Sequence, residues 1–101
     1  MRRYETMIIV TDTVEEEEAK AVLDRVKGVL ADQGGTLIDE EFWGKRRFAY
    51  EINKRTHGYY DVLDFEVSNE GLRELERQLK LADNVVRFKT VRPEIRILNN
   101  R

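Results

Sequence analysis

"YYDVLDFEVSNEGLRELERQLKLADNVVRFKTV", residues 59–91, holds the pattern on which the fold turns. Leu63, Phe65 and Val67 alternate with Tyr60, Val62, Asp64 and Glu66. That period of two places one set on each side of a strand. Ser68 or Asn69 then offers a side-chain oxygen to cap a helix start, and Leu72, Leu75 and Leu79 recur at helical spacing. "ADN" reads as a turn, and Val85–Val91 as another strand. Pro93 ends its pairing, because proline has no backbone donor to give.

The same strand-then-helix order stands at the N-terminus. In Arg3–Val10, Tyr4, Thr6, Ile8 and Val10 fall on one face and Arg3, Glu5, Met7 and Ile9 on the other. Both faces carry apolar groups, as a central strand requires. "TVEEEEAKAVLDRVKGVLADQGG", residues 13–35, follows as a helix. Thr13 and Glu16 have the spacing of a capping box, and Ala19, Val22, Leu23, Val26 and Leu30 form one apolar stripe. Gly34 and Gly35 supply a left-handed stop. Residues 36–52 read as a long strand, interrupted by a bulge at "IDEE", and "NKRTHG", residues 53–58, as a polar loop.

The order βαββαβ, with right-handed crossovers, puts both helices on one side of a four-stranded antiparallel sheet. The expected class is α+β, a ferredoxin-like sandwich. Residues 1–92 make the domain, and 93–101 an extended C-terminal tail. The uncovered sheet face should carry Arg3, Glu5, Met7, Ile9, Tyr60, Val62, Arg87 and Lys89. That face is apolar enough to suggest a partner.

A chain of 101 residues supports one core. It has no apolar run near the roughly 20 residues of a membrane span and no secretory signal pattern, so a cytoplasmic location is expected. The absence of cysteine removes disulfides, redox pairs and thiolate metal sites. The net charge of −2 hides a segregated distribution. Acids crowd Asp12 and Glu15–Glu18, whereas bases gather at Lys45, Arg46, Arg47, Lys54 and Arg55 and again from Arg87 to Arg101. Segregation of this kind shapes the choice of partner more than the sum does.

Neither catalysis, a metal nor a cofactor is expected. His57 is the sole histidine and stands in a polar stretch without a nucleophile beside it. The "EEEE" run suits a helix start, where the dipole favours carboxylates. There is no glycine-rich phosphate loop of either common spacing. An RNA-recognition motif shares this topology, but "HGYYDVLDF" places Asp61 where its second stacking aromatic belongs. Any RNA contact should therefore come from basic groups reading backbone and shape.

"WGKRRFAYEINK", residues 43–54, closely resembles the signature of the bacterial small-subunit ribosomal protein number six family. Gly44, Arg46, Arg47, Ala49, Tyr50 and Ile52 match its pattern, and Phe48 replaces the usual leucine. "MRRYE" at the start and "LADNVVRFKTVRP" near the end resemble the family too, in register. The resemblance implies a non-enzymatic, ribosome-associated protein. It would bind the central domain of small-subunit rRNA together with the small-subunit ribosomal protein number eighteen. By carry-over, Arg2, Arg3, Arg46, Arg47, Lys54, Arg87 and Arg92 are the candidates for rRNA. Met7, Ile9, Tyr60 and Val62, with Pro93, Ile95 and Ile97 of the tail, are the candidates for the protein partner.

Plainer readings stand beside these. Trp43 and Tyr50 would stiffen a hairpin rather than stack on bases. In a regular strand Arg46 and Arg47 point to opposite faces, so one meets phosphate and the other pairs with Glu40 or Glu41. The alternative function is a regulatory module that homodimerises through its open face and binds a small metabolite. An acylphosphatase-like enzyme ranks third, for want of a phosphate-cradling loop.

Overall fold

The computed structural model describes the backbone of residues 1–52 and 55–92, and the side chains of 1–47 and 57–92. Six elements follow in order: β1 (Arg2–Thr11), α1 (Glu16–Asp32), β2 (Thr36–Ile52), β3 (Arg55–Val67), α2 (Asn69–Leu81) and β4 (Val85–Val91). The strands form one antiparallel sheet ordered β2-β3-β1-β4. β1 and β3 are central, which explains why both of their faces carry apolar side chains. The expected α+β sandwich is the architecture found.

The core lies between the sheet and the two helices. Every member of the predicted stripe on α1, from Ala19 to Leu30, is buried. So are Leu75 and Leu79 of α2, and both helices close over Ile8, Val10, Leu63, Phe65 and Val67. Each such side chain contributes about 1.5–3 kcal/mol by leaving water. Two of the polar groups inside the layer are paired. Thr6 Oγ1 lies 2.8 Å from Thr90 Oγ1, and the Tyr59 hydroxyl donates to the Val14 carbonyl at 3.1 Å.

Three local expectations need correction. The Thr13–Glu16 capping box does not form. Glu15 is the N-cap of α1 and makes no side-chain cap, while the Thr13 hydroxyl lies 3.0 Å from that of Thr11. The helix starts two residues later than the capping pattern implied, because the turn from β1 holds Thr13. Second, the polar stretch 53–58 is not all loop, since β3 begins at Arg55 and its extension pairs with β2 out to Ile52–Arg55. Cross-strand bonding overrode polar composition there. Third, β2 carries a bulge that the sequence reading did not foresee. The expected one occurs between Leu37 and Asp39, and another falls between Phe42 and Gly44.

The remaining punctuation is as read. Ser68 caps α2 by accepting the Gly71 amide at 3.0 Å. Gly34 ends α1 at a φ of 74°, in the left-handed region that side chains with a Cβ avoid.

Candidate nucleic-acid and protein interface

Strand register sorts the candidate residues onto faces, since directly opposed residues share a side of the sheet. On the face without helices they form rows. The first row runs Gly44, Tyr60, Ile9, Arg87, the second Glu41, Val62, Met7, Lys89, and the third Asp39, Asp64, Glu5, Val91. With Arg3, opposite Glu66 in the next row, all eight residues assigned to the uncovered face are there. Met7, Ile9, Tyr60 and Val62 make a contiguous apolar block at its centre. Ile9 is buried even without a helix above it, with Tyr60 and Arg87 on either side.

The second bulge extends this block. Gly44 has a φ of 79°, which a residue with a Cβ adopts only under strain, and its left-handed turn is typical of a bulge. The extra residue, Trp43, lies against Tyr60 with ring centroids 6.1 Å apart and planes inclined by 11°. Its carbonyl accepts from Arg46 Nε at 3.1 Å. Trp43 thus packs within the hairpin, yet it stays 38% exposed and adds aromatic surface beside the apolar block. No sequence signal placed it there, because a bulge reverses the alternation that parity counting assumes.

Charge on this face is graded. Glu5, Asp39, Asp64 and Glu66 gather at the end where β1 starts, and Arg87, Lys89 and Arg46 stand toward the other end. Arg3 is committed to Asp64 by a two-pronged contact of 3.0 and 2.6 Å. That hydrogen bond, with the charge behind it, raises the guanidinium above its ordinary pKa.

The candidate RNA residues do not form one cluster. Arg2 and Arg3 lie at the start of β1, with Arg92 following β4 at the same end. Arg46 pairs with Gly58, which faces Thr11 at the opposite end. Thr11 lies eight positions along the strand from Arg3, about 26 Å at roughly 3.3 Å per residue. Arg46 and Arg47 do point to opposite faces, Arg46 to the open one and Arg47 to the helix side beside His57. Glu40 pairs with Lys27 at 2.8 Å rather than with either arginine. Lys54, Pro93, Ile95 and Ile97 lie outside the described residues.

The aromatic test for an RNA-recognition motif is answered by the same parity. Tyr59 and Asp61 both face the helices and are buried, so neither can stack on a base. Sequence reasoning named Asp61 only as a missing aromatic and gave it no role of its own. Its odd position, in line with Leu63, Phe65 and Val67, was the available signal. Among the described residues no group of three or more metal-ligating side chains occurs, and no helix is long and apolar enough to cross a membrane.

The profile of the family described as Ribosomal protein S6 matches residues 3–92. The chain belongs to the ribosomal protein S6 family. Small ribosomal subunit protein bS6 of Clostridium novyi is 43% identical over 94 residues, spanning 93% of this chain and 99% of the relative. Its counterpart from Salinispora arenicola is 43% identical over 96 residues, spanning 95% and 100%. The crystal structure of 30S ribosomal protein S6 from Thermotoga maritima superposes with a TM-score of 0.86 at 32% identity, covering 99% of this chain and 98% of that one. A solution structure of the C-terminal domain of Mycobacterium tuberculosis MgtC shares the fold, at a TM-score of 0.61 and 13% identity.

Family membership makes the protein a structural component of the small ribosomal subunit, ribosome-associated and not an enzyme. The glycines that could line a small-molecule loop in the metabolite-module alternative have structural roles. Gly34 is a helix stop and Gly58 a buried strand residue facing Thr11 and Arg46.

Proposed function

We propose that the chain binds the central domain of small-subunit rRNA jointly with the small-subunit ribosomal protein number eighteen, dividing the two tasks between different surfaces. The observation that carries this reading is the composition of the open face. Its apolar and aromatic centre (Met7, Ile9, Tyr60, Val62 and Trp43) adjoins a row of acids. Such a surface suits a basic protein and repels phosphate. Pro93, Ile95 and Ile97 are assigned to the same protein partner.

RNA is assigned to the ends of the sheet. The β2–β3 hairpin offers Arg47 and Lys54, with Arg46 at its open-face margin. The other end offers Arg2 and Arg92, while Arg3 is partly neutralised by Asp64. Arg87, between the apolar block and the sheet edge, is placed to serve either partner.

A salt titration of binding to central-domain rRNA, with and without the partner protein, tests the division. Binding that requires both proteins and weakens steeply with salt supports it. Salt-insensitive binding, or full affinity without the partner, overturns it.

A further inference from the structure

A carboxyl group lies where the alternation of β3 leaves room for apolar side chains. Asp61 is fully buried between Tyr59 and Leu63 on the helix-facing side. Neither of its oxygens has a hydrogen-bond partner that could donate among the described residues. β1 sets Ile8 against it, and β2 sets Phe42 directly across, with Glu40 diagonal on the same face. From α1, Lys27 Nζ reaches Glu40 Oε1 at 2.8 Å and Asp24 Oδ1 at 3.1 Å. Lys20 of the same helix lies over the Phe42 ring, 5.2 Å from its centroid. These are the charged groups that face the site. A cleft of about 240 Å³ between α1 and β2, lined by Lys20, Leu23, Asp24, Lys27, Glu40 and Phe42, leads to its outer edge.

Two neighbouring carboxyls can hydrogen-bond only if one keeps its proton, since an ionised carboxylate is acceptor-only. Burial, and then the Glu40 carboxylate, push Asp61 up to about 8. The hydrogen bond from Asp61, together with that from Lys27, holds Glu40 below its ordinary value despite its own burial. Lys27 is raised in turn, chiefly by its bond to Glu40. Lys27 pairs with Glu40 in the structure, which favours the proton on Asp61.

We propose that Asp61, Glu40 and Lys27 form a protonation-dependent clasp joining β3, β2 and α1, in which the Asp61 hydroxyl donates to Glu40 and loss of that proton loosens the α1–β2 seam. An ionised Asp61 would face a second anion, with the more distant Lys27 charge and the Val62 amide offsetting it only in part. Water entering through the cleft, or separation of β2 from α1, is what relieves it. The clasp lies just ahead of the Trp43 bulge, so it governs how firmly the edge strand is seated. It stands independently of the RNA assignment.

The sign of the pH effect follows from proton linkage. Unfolded Asp61 releases its proton near the ordinary 3.8, and the folded protein retains it to about 8. The native state binds more protons in that interval, so stability falls as pH rises through it and levels off above.

Carboxyl-carbon NMR titration of Asp61 in the full chain tests the proton's place. Amide-exchange protection factors between pH 6 and 9 test the opening. Asp61 should titrate above pH 6.5, and protection at residues 39–42 should fall at least tenfold more than protection in the β1–β4 pairing. Urea unfolding should show the equilibrium constant for unfolding rising more than tenfold from pH 5 to 8 relative to Asp61→Asn. Titration of Asp61 near pH 4 overturns the clasp. A high titration point with uniform protection overturns the opening. If Asp61→Asn fails to fold, the two measurements on the unaltered chain still decide.

Discussion

Charge reversal at Arg46 and at Arg47 should weaken RNA binding unequally. Cross-strand register sends Arg46 to the open face with Trp43 and Arg47 to the helix side, and both are exposed. Arg47→Glu should remove a phosphate contact outright. A charge-assisted hydrogen bond of about 1.5–3 kcal/mol corresponds to roughly a 10- to 150-fold loss of affinity. The salt slope should become shallower by about 0.7–0.9 for that contact. Over a fourfold rise in salt, binding of the variant would then weaken about threefold less than that of the unaltered protein. Arg46→Glu, at the open-face margin of the hairpin, should flatten the slope less than Arg47→Glu does. Stability should move by less than about 0.5 kcal/mol in each case, as for exposed positions generally. Filter binding across salt concentrations, paired with urea unfolding, reads all of these. Equal slope changes in the two variants would refute the assignment by faces, and unchanged binding in both would remove the hairpin from the RNA surface.

Capping gives a sharper contrast within one protein. Ser68→Ala should cost about 0.5–2 kcal/mol in urea unfolding, because it orphans the Gly71 amide, whereas Thr13→Ala should cost less, since no helix amide depends on it. A double-mutant cycle over Trp43→Ala and Tyr60→Ala should return a coupling near 0.5 kcal/mol, the low end for stacked aromatics, because Trp43 remains partly in water. Leu63→Ala removes a fully buried side chain from the middle of the sheet and should lower stability by about 2–5 kcal/mol in the same assay.

Much of the architecture was legible because the sequence is locally consistent. The period of two in Tyr59–Val67 and Arg3–Val10 assigned faces correctly, and the stripe from Ala19 to Leu30 named the buried side of α1 without error. Where two local signals competed, the weaker reading failed. Thr13 satisfies the spacing of a capping box, yet its hydroxyl found Thr11 first. Residues 55–58 look like loop by composition, but their backbone groups gain more from pairing with β2 than from water. Side-chain polarity carries no information about where backbone hydrogen bonds go.

The candidate site divided along similar lines. The apolar block of Met7, Ile9, Tyr60 and Val62 could be counted from parity alone. The row of acids beside it emerged only once register aligned Asp39, Asp64 and Glu5 across three strands. The separation of Arg3 from Arg46 likewise depends on which strand ends coincide.

The sequence by itself determined the order of elements, the buried face of each helix and the family, because these rest on periodicity and on a contiguous motif. Tertiary structure alone decided the meeting of Asp61 with Glu40, the outward turn of Trp43 and the division of the arginines between two ends. Each of those depends on register, and a single inserted residue in β2 shifts which side chains meet across the sheet. No local pattern records that choice, because it is made between segments distant in sequence.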